Sequence, residues 1–331
     1  MTLIKINFNP SSYSKSDNKL NYSVIKLNFK LKYCRKLSTF KFIQTIIEQM
    51  ISYGKLRTAE TYISTLRSFI NYRNGQDIAL NAITADIITD YEQYLISRHL
   101  TRNTISFYMR ILRATYNRAV DNELIQPRKL FNRVFTGNDR TIKRAIPLEH
   151  LRIIKDSDLS NNIRLSIARD IFMFSFYTRG MSFIDMAYLT QANIHNEYLI
   201  YRRRKTNQRL VIKLEKCIID ILNRYHSDES IYLLPIISSS SRIEPRQQYL
   251  KSIRSVNHHL HKLSKQLNLS INLTTYVARH TWASIAHSKN VPISVISECL
   301  GHDSESTTQI YLAALDTSVL DQANNLILNS L

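Results

Sequence analysis

The C-terminal third of the chain contains several cationic and proton-donating residues and a tyrosine that could act together. Lys205 lies on a very basic turn, Arg279 and His280 are adjacent, and Tyr311 comes nine positions after His302. A tyrosine hydroxyl can attack phosphorus and form a covalent link that preserves the energy of the broken bond for rejoining. An arginine fork and a histidine suit the negative charge that develops on the non-bridging oxygens. These residues predict chemistry on a phosphodiester, in which a lysine could protonate the leaving 5′-oxygen.

Other kinds of phosphate chemistry have less support in the sequence. It contains no carboxylates paired at the spacing of a two-metal nuclease and no GxxxxGK[ST] phosphate-binding loop. The cysteines Cys34, Cys217 and Cys299 are far apart and form no CxxC pair, which predicts a reducing compartment rather than a metal clamp. We expect no metal and no cofactor.

The charge of the chain indicates a polyanionic partner. Lysine and arginine number 45 against 26 acidic residues, which gives a net charge of +19. Because each neutralised phosphate releases counterions, this excess favours nucleic acid, with an anionic membrane surface as the main rival. No apolar run reaches the roughly 18–20 residues that span a bilayer, and the first residues lack the apolar block of a signal peptide. We expect a soluble, intracellular protein without a membrane partner.

The length of 331 residues allows two domains, and the low glycine and proline content favours helices. Residues 1–35 contain two short alternating stretches, which predict an N-terminal arm or a small strand pair. Apolar residues then recur at helical spacing, which predicts a helical domain over 36–138. Its helices are expected at 39–53, 58–72, 84–98 and 101–123. Thr101 is the expected N-cap of the fourth helix.

The pattern changes after a basic linker at 139–146. A second domain is expected over 147–331, and within it two short strands at 198–201 and 210–214 are joined by the basic turn 202–209. Helices are expected at 148–156, 163–181, 215–225, 246–267, 276–288, 292–300, 304–314 and 317–329. The predicted fold class is mainly α with a small antiparallel β-sheet.

The catalytic candidates stand in a recognisable series. Tyr276-Val-Ala-Arg279-His280 is followed by Leu-Gly-His302 and then by Tyr311. This series resembles the HxxRH…LGH…Y pattern of the tyrosine recombinase (phage integrase) family, in the expected order and with the expected gaps. The resemblance extends over about residues 37–331. It implies a two-domain DNA clamp, made of a helical core-binding domain and a catalytic domain.

The resemblance also implies roles for these residues. Tyr311 would be the nucleophile, Arg279 would hold the scissile phosphate, and His302 would donate to that phosphate or orient it. Lys205 looks like the general acid that the family places on a β-hairpin, and His280 would brace the site. The implied activity is site-specific recombination through a 3′-phosphotyrosyl intermediate, without metal or cofactor. Its outcome would be integration, excision or inversion of DNA.

Two positions depart from the family pattern. Tyr276 stands where the family has histidine or lysine, and a phenol can donate a hydrogen bond but carries no positive charge at neutral pH. Ser182 stands three residues before Asp185, where the family's first catalytic arginine belongs. Arg179 lies three residues earlier still, and residues i and i+3 share a helix face, so its side chain could reach the same phosphate with Asp185 holding it. The alternatives are that another arginine fills this position or that none does.

Basic side chains outside the series are candidates for contacts with DNA. They lie on the fourth helix, the linker and the hairpin turn: Arg102, Arg110, Arg113, Arg140, Lys143, Arg144, Arg202, Arg203 and Arg204. For the helix, a solvated face is the alternative. The expected partners are double-stranded DNA with a specific target site and further copies of the chain, as a tetramer, with accessory DNA-bending proteins as an option. The segment 317–331 would pack on its own domain or on a neighbouring protomer.

Two other functions stay open at this point. The departures at Ser182 and Tyr276 suit a catalytically impaired DNA-binding regulator that retains the fold. The same chemistry without a target site suits a relaxing topoisomerase. A recombinase of this kind is expected in the bacterial cytoplasm, associated with the nucleoid.

Overall fold

The computed structural model describes residues 37–139, 145–312 and 328, with the backbone alone for 310–312. The chain divides into two compact units, Met1–Arg140 and Thr141–Leu331. None of the helices in the described part of the chain is long and apolar enough to cross a membrane. The expected arm at 1–35, and the expected tail helix at 317–329 apart from residue 328, lie outside the described residues.

The described part of the first unit is helical. Its α-helices are α1 (Thr39–Ser52), α2 (Leu56–Tyr72), α3 (Ala85–Ser97) and α4 (Arg102–Asp121). Thr101 caps α4, because its hydroxyl accepts a hydrogen bond from the amide of Thr104, as predicted. Phe69 and Tyr91 pack edge to face in the core, with ring centroids 5.2 Å apart. All four predicted helices are confirmed, with ends shifted by about two residues or fewer.

The second unit combines helices with a small sheet. Its helices are α5 (Leu148–Asp156), α6 (Ile163–Tyr177), α7 (Phe183–Ala187), α8 (Lys216–Arg224), α9 (Pro245–Gln266), α10 (Thr275–Ser288), α11 (Ile293–Leu300) and α12 (Glu305–Leu312). Helix α6 packs against α9 and α10 and contributes Phe172 and Phe174, both fully buried, to the core. The predicted class, mainly α with a small antiparallel β-sheet, is confirmed.

The sheet has strand order β1-β2-β3 and is antiparallel throughout. Its strands are β1 (Ile194–His195), β2 (Tyr198–Arg202) and β3 (Arg209–Lys213). Strands β2 and β3 form the predicted hairpin, in which Tyr201 pairs with Leu210. Buried and exposed residues alternate along both strands, so one face of the hairpin packs on the core. The two-residue strand β1 was not predicted, since it is too short to show alternation.

The prediction of one helix over 163–181 was wrong at its C-terminal end. Helix α6 ends at Tyr177, because Arg179 and Gly180 have φ values of 59° and 73°, in the left-handed region. The amide of Gly180 donates to the carbonyl of Ser175 at 2.7 Å and closes the helix. Ser182 then caps α7, a short helix that the sequence did not reveal. Arg179 and Ser182 therefore do not share a helix face, contrary to the expectation from the sequence.

Candidate active site

Arg279 is the centre of a buried polar cluster in the second unit. It lies on α10 and is only 3% exposed. One terminal nitrogen, Nη1, donates to the carbonyl of Gly180 at 2.7 Å, and the other, Nη2, donates to the carbonyl of Leu300 at 2.5 Å. Burial lowers the pKa of this guanidinium to about 10, which still leaves it charged at neutral pH. The turn after α6 and the end of α11 thus fix the direction of a buried positive charge.

His302 follows the end of α11 and completes this cluster. Its Nε2 lies 3.0 Å from Nη2 of Arg279, and its Nδ1 lies 2.7 Å from the hydroxyl of Thr308. Because a guanidinium can only donate, Nε2 must accept, and the proton of the neutral ring is on Nδ1. Burial, and next the charge of Arg279, lower the pKa of His302 to about 4. In this state His302 is neutral and orients Arg279.

The turn of the β2–β3 hairpin lies beside the Arg279–His302 cluster. Arg203 donates through Nη1 to the carbonyl of Gly301, and the hydroxyl of Thr206 donates to the same oxygen at 3.2 Å. Lys205 lies between these two anchored residues and is exposed. Its positive charge is one of those that lower the pKa of His302. The structure therefore brings the predicted lysine to the Arg279–His302 cluster.

Asp185 anchors the hairpin to α7. Its carboxylate is 4% exposed, and it accepts a hydrogen bond from the hydroxyl of Ser182 at 2.6 Å and another from the backbone amide of Arg204 at 2.8 Å. The expectation that Asp185 holds Arg179 was wrong, because the structure shows no hydrogen bond or ion pair between these two residues. Instead, Nη1 of Arg179 donates to the carbonyl of Val211, on β3, at 3.3 Å.

Tyr276 and His280 flank Arg279 on α10. Tyr276 is half exposed, and its ring meets that of His280 edge to face at 4.7 Å. Desolvation raises the pKa of the Tyr276 phenol, while the nearby charges of Arg279 and Arg203 act in the opposite direction. Both residues thus lie at the edge of the cluster.

Tyr311 lies in the last turn of α12, three residues after Thr308, which bonds to His302. Its side chain is outside the described part of the chain. The backbone therefore places the predicted nucleophile on the helix that continues directly from His302.

The candidate DNA-contacting arginines have different surroundings. Arg102, Arg110 and Arg113 are exposed on α4, where Arg102 lies 4.0 Å from the centre of the Phe135 ring and Arg113 donates to Thr136 at 3.0 Å. On the hairpin, Arg202 and Arg204 are exposed. Arg140, Lys143 and Arg144, in the predicted linker, lie outside the described residues.

Arg203 differs from its two neighbours, because it is only 6% exposed. The sequence grouped Arg203 with the exposed candidates for DNA contact and did not reveal that it is buried. Three consecutive arginines look like a solvated run, but the alternation that begins in β2 turns the middle one inward.

Sequence reasoning missed two further residues. Gly180 accepts a hydrogen bond from Arg279, and a Cβ at Gly180 would lie 2.8 Å from Cγ of that arginine. Thr308 is fully buried against His302. Gly180 could have been noticed in the sequence, because it is a glycine beside Arg179. Nothing in the sequence pairs Thr308 with His302.

Two family models match this chain and together include the cluster. The phage integrase SAM-like domain matches residues 38–133, and the phage integrase family matches residues 148–318, more than half of the chain. The chain belongs to the phage integrase family. This family is the tyrosine recombinases, so the protein is an enzyme that breaks and rejoins DNA in site-specific recombination, and the sequence-based assignment is confirmed.

Individual relatives are distant. Tyrosine recombinase XerD of Halalkalibacterium halodurans is 20% identical over 274 residues, which cover 80% of this chain and 89% of the relative. A crystal structure of a lambda integrase dimer bound to a COC′ core site has a TM-score of 0.62 at 16% identity, and covers 83% of this chain and 95% of that one. A lambda integrase tetramer bound to a Holliday junction has a TM-score of 0.63 at 15% identity, and covers 83% and 77%. These structures share the fold, and none of the comparisons favours the impaired regulator.

Proposed function

We propose that this recombinase cleaves one strand at a specific DNA site with Tyr311 and becomes joined to the 3′-phosphate. The observation that supports this most directly is the buried cluster, in which Arg279 is oriented by Gly180, Leu300 and His302. Tyr311 follows on α12 one helical turn after Thr308, and residues three apart share a helix face. Tyr311 thus lies on the helix that carries Thr308, the hydrogen-bond partner of His302 in the cluster.

The proposed step is an in-line displacement at phosphorus. The Tyr311 oxygen forms a bond to phosphorus and its proton is lost to water, while the bond from phosphorus to the 5′-oxygen breaks. Lys205 gives its proton to that 5′-oxygen. Arg279 stabilises the charge that grows on the non-bridging oxygens. In the reverse step a 5′-hydroxyl attacks the phosphotyrosine, so the backbone is rejoined without an external energy source.

The remaining site residues support this arrangement. His302 is proposed to keep Arg279 in place rather than to donate to the phosphate, because its Nε2 carries no proton in this state. Tyr276, half exposed beside Arg279, is proposed to donate its hydroxyl to the phosphate, with His280 packed against it. Asp185 and Ser182 hold the hairpin and thereby Lys205. Ser182, at the family's first-arginine position, caps α7 and supplies no positive charge.

We also propose a separate role for each domain. Residues 36–138 form the core-binding domain, 139–146 the linker and 147–331 the catalytic domain, as a two-domain clamp around the duplex. The exposed Arg102, Arg110 and Arg113 of α4 contact the DNA backbone, together with Arg202 and Arg204 of the hairpin turn and the linker cations. Cleavage and strand exchange take place in a tetramer on DNA at the bacterial nucleoid, with accessory DNA-bending proteins as an additional requirement at some sites.

The test compares the parent protein with Tyr311→Phe. DNA flanking its own gene is screened by mobility shift, and the bound duplex is prepared with a nick near the cleavage point so that the short product escapes. The parent protein is expected to accumulate a covalent protein–DNA adduct. The phenylalanine variant should bind the same duplex with unchanged affinity and form no adduct. Adduct formation by the variant at the parent level would disprove the role of Tyr311.

The same assay separates the other functions. A regulator that has lost catalysis would bind but form no adduct even with the parent chain. A relaxing topoisomerase would remove supercoils from a plasmid that lacks the bound sequence, whereas a recombinase requires its site.

A further inference from the structure

Arg203 is a buried arginine in a hairpin turn whose neighbours are solvated. It follows β2 directly, and its backbone is fixed on both sides: its amide donates to the carbonyl of Gln208 at 2.8 Å, and its own carbonyl accepts from the amide of Asn207 at 2.7 Å. It is 6% exposed, while Arg202 and Arg204 are exposed. The hairpin therefore points this one guanidinium into the protein.

The direction of Arg203 is set by the end of α11. Nη1 of Arg203 donates to the carbonyl of Gly301, and Nη2 of Arg279 donates to the carbonyl of Leu300. These two carbonyls belong to consecutive residues, whose Cα atoms are about 3.8 Å apart in any trans peptide chain. Gly301 accommodates the contact, because a Cβ there would lie 3.1 Å from Cδ of Arg203. The two guanidiniums thus converge on neighbouring oxygens beside His302.

The pair has no acidic partner in the described part of the chain. No ion pair there involves Arg203 or Arg279, and Nε of each is buried without a hydrogen-bond partner. The carboxylate of Asp185, whose charge raises the pKa of Arg279, accepts hydrogen bonds from Ser182 and from the amide of Arg204, and none from either guanidinium. Each guanidinium depresses the pKa of His302, and the charge of Arg203 lowers the pKa of Arg279 after the effect of burial. Two buried like charges are costly unless an anion neutralises them.

We propose that Arg203 is a catalytic residue that contacts the scissile phosphate from the hairpin, together with Arg279. This assignment rests on the proposed function and adds to it. Nη2 of Arg203 donates to no described residue, so it is available to a phosphate oxygen. Arg203 exchanges no atom in the reaction; it stabilises the negative charge that grows on the non-bridging oxygens. Arg203 thus supplies, from the hairpin, the positive charge that is missing at the start of α7, where Ser182 stands at the family's first-arginine position.

The assignment replaces Arg179 as the second arginine. Arg179 lies beyond the end of α6 and donates to the carbonyl of Val211 on β3. Arg203 instead donates to the same carbonyl as Thr206, so it is attached at the point where the Lys205 turn is held.

The first test uses Arg203→Ala and Arg203→Lys in the nicked-duplex cleavage assay, with Arg209→Ala and Arg209→Lys as matched controls. Arg209 is an exposed arginine on the same hairpin. Loss of a preorganised charge donor is expected to slow cleavage about 100-fold or more for Arg203→Ala. Arg203→Lys, which keeps the charge but not the planar fork, should slow it at least about 10-fold. The Arg209 variants should cleave at the parent rate, and cleavage by both Arg203 variants at that rate would overturn the assignment.

The second test separates phosphate contact from a structural role. One non-bridging oxygen of the scissile phosphate is replaced by methyl, which removes the negative charge that Arg203 would stabilise. On this substrate the ratio of the parent cleavage rate to that of Arg203→Ala should be at least about 10-fold smaller, because the oxygen charge that Arg203 would stabilise has been removed. An unchanged difference would show that Arg203 only supports the hairpin and would overturn the assignment. Circular dichroism and duplex binding check that Arg203→Ala folds. If it does not, the same comparison of the two substrates is made with Arg203→Lys.

These outcomes are distinct from a failure of the proposed function. In that case the parent protein itself forms no adduct. If the parent forms the adduct and the Arg203 variants match it, only the Arg203 assignment is lost.

Discussion

At the scale of single residues, the site depends on how closely backbone approaches Arg279. Gly180 has φ 73°, and a Cβ there would lie 2.9 Å from Cα and 2.8 Å from Cγ of Arg279. The carbonyl of the same glycine holds the guanidinium at 2.7 Å. A residue with a side chain at this position would therefore push Arg279 away from its hydrogen-bond partners.

We predict that Gly180→Ala lowers the free energy of unfolding by about 2–4 kcal/mol, from backbone strain and steric conflict together. Cleavage should slow at least about 10-fold, because Arg279 is displaced. Gly75→Ala is the control, since Gly75 has φ 79° but no atom within 4 Å of an added Cβ. Denaturant unfolding and the adduct assay measure both effects. Equal losses in the two variants would show that strain alone matters and that the contact with Arg279 does not.

The neutral state of His302 gives a prediction about pH. Its pKa is lowered to about 4 in the folded protein, against about 6.5 when unfolded, so the unfolded chain binds more protons between these values. The stability that the neutral ring contributes is full above pH 6.5 and is lost as pH falls toward 4. From pH 7 to pH 5 the loss is about 2 kcal/mol by linkage.

His302→Asn should show a smaller loss over the same range, because an amide oxygen can accept from Arg279 without titrating. Urea unfolding at pH 7 and pH 5 measures the difference for both proteins. The same loss in variant and parent would mean that His302 does not titrate as the structure indicates.

Motif residues were predictable at this scale, and their supports were not. Arg279 and His302 were found because residue types at fixed spacing are visible in one dimension. Gly180 and Thr308 act through a backbone carbonyl and an unremarkable hydroxyl, and the burial of Arg203 depends on a contact with Gly301, which is distant in sequence. The expectation that Arg179 and Ser182 share a helix face was wrong, because a Gly-containing turn ends α6 at Tyr177.

Among the secondary-structure elements, the β2–β3 hairpin positions Lys205. Arg203 and Thr206 bind the carbonyl of Gly301, and Asp185 holds the amide of Arg204, so the turn is fixed on both sides of Lys205. The hairpin was predictable from its alternating strands. Its attachment to α11 was not, because it depends on the register that turns one arginine inward.

We predict that Lys205→Ala slows cleavage of normal DNA about 100-fold, the typical contribution of a general acid. A duplex with sulfur in place of the leaving 5′-oxygen should be cleaved by Lys205→Ala near the parent rate, because a thiolate, with a pKa of about 8.5 for the thiol, leaves without a proton. Lys213→Ala, which removes an exposed charge from the same hairpin, is the control and should match the parent on both substrates. Persistent slow cleavage of the sulfur duplex by Lys205→Ala would contradict the acid role.

At the scale of the whole molecule, the excess of positive charge governs binding. The net charge is +19, and exposed arginines lie on α4 and on the hairpin turn. The total charge predicted a nucleic-acid partner, but it cannot locate the contacts, because solvated and DNA-facing cations look alike in a sequence. The domain boundaries at 36–138 and 147–331 stay a proposal.

We predict that the logarithm of the association constant falls linearly with the logarithm of salt concentration, with a slope of about −5 or steeper, as phosphates release counterions. Arg110→Ala should make this slope shallower by about one unit if it contacts a phosphate. Lys216→Ala, an exposed charge on α8, is the control with an unchanged slope. Mobility shifts at several salt concentrations provide the measurement. A flat response of the parent protein would refute the charge argument.

The most direct measurement is to locate the DNA on the protein after covalent trapping. Trypsin cleaves after Lys289 and has no site between residues 290 and 331, so these residues stay on one peptide, in which Tyr311 is the single tyrosine of that range. After nuclease digestion, mass spectrometry should find a nucleotide on this peptide, joined through its 3′-phosphate to Tyr311. A nucleotide on any other peptide, or one joined through a 5′-phosphate, would contradict the account.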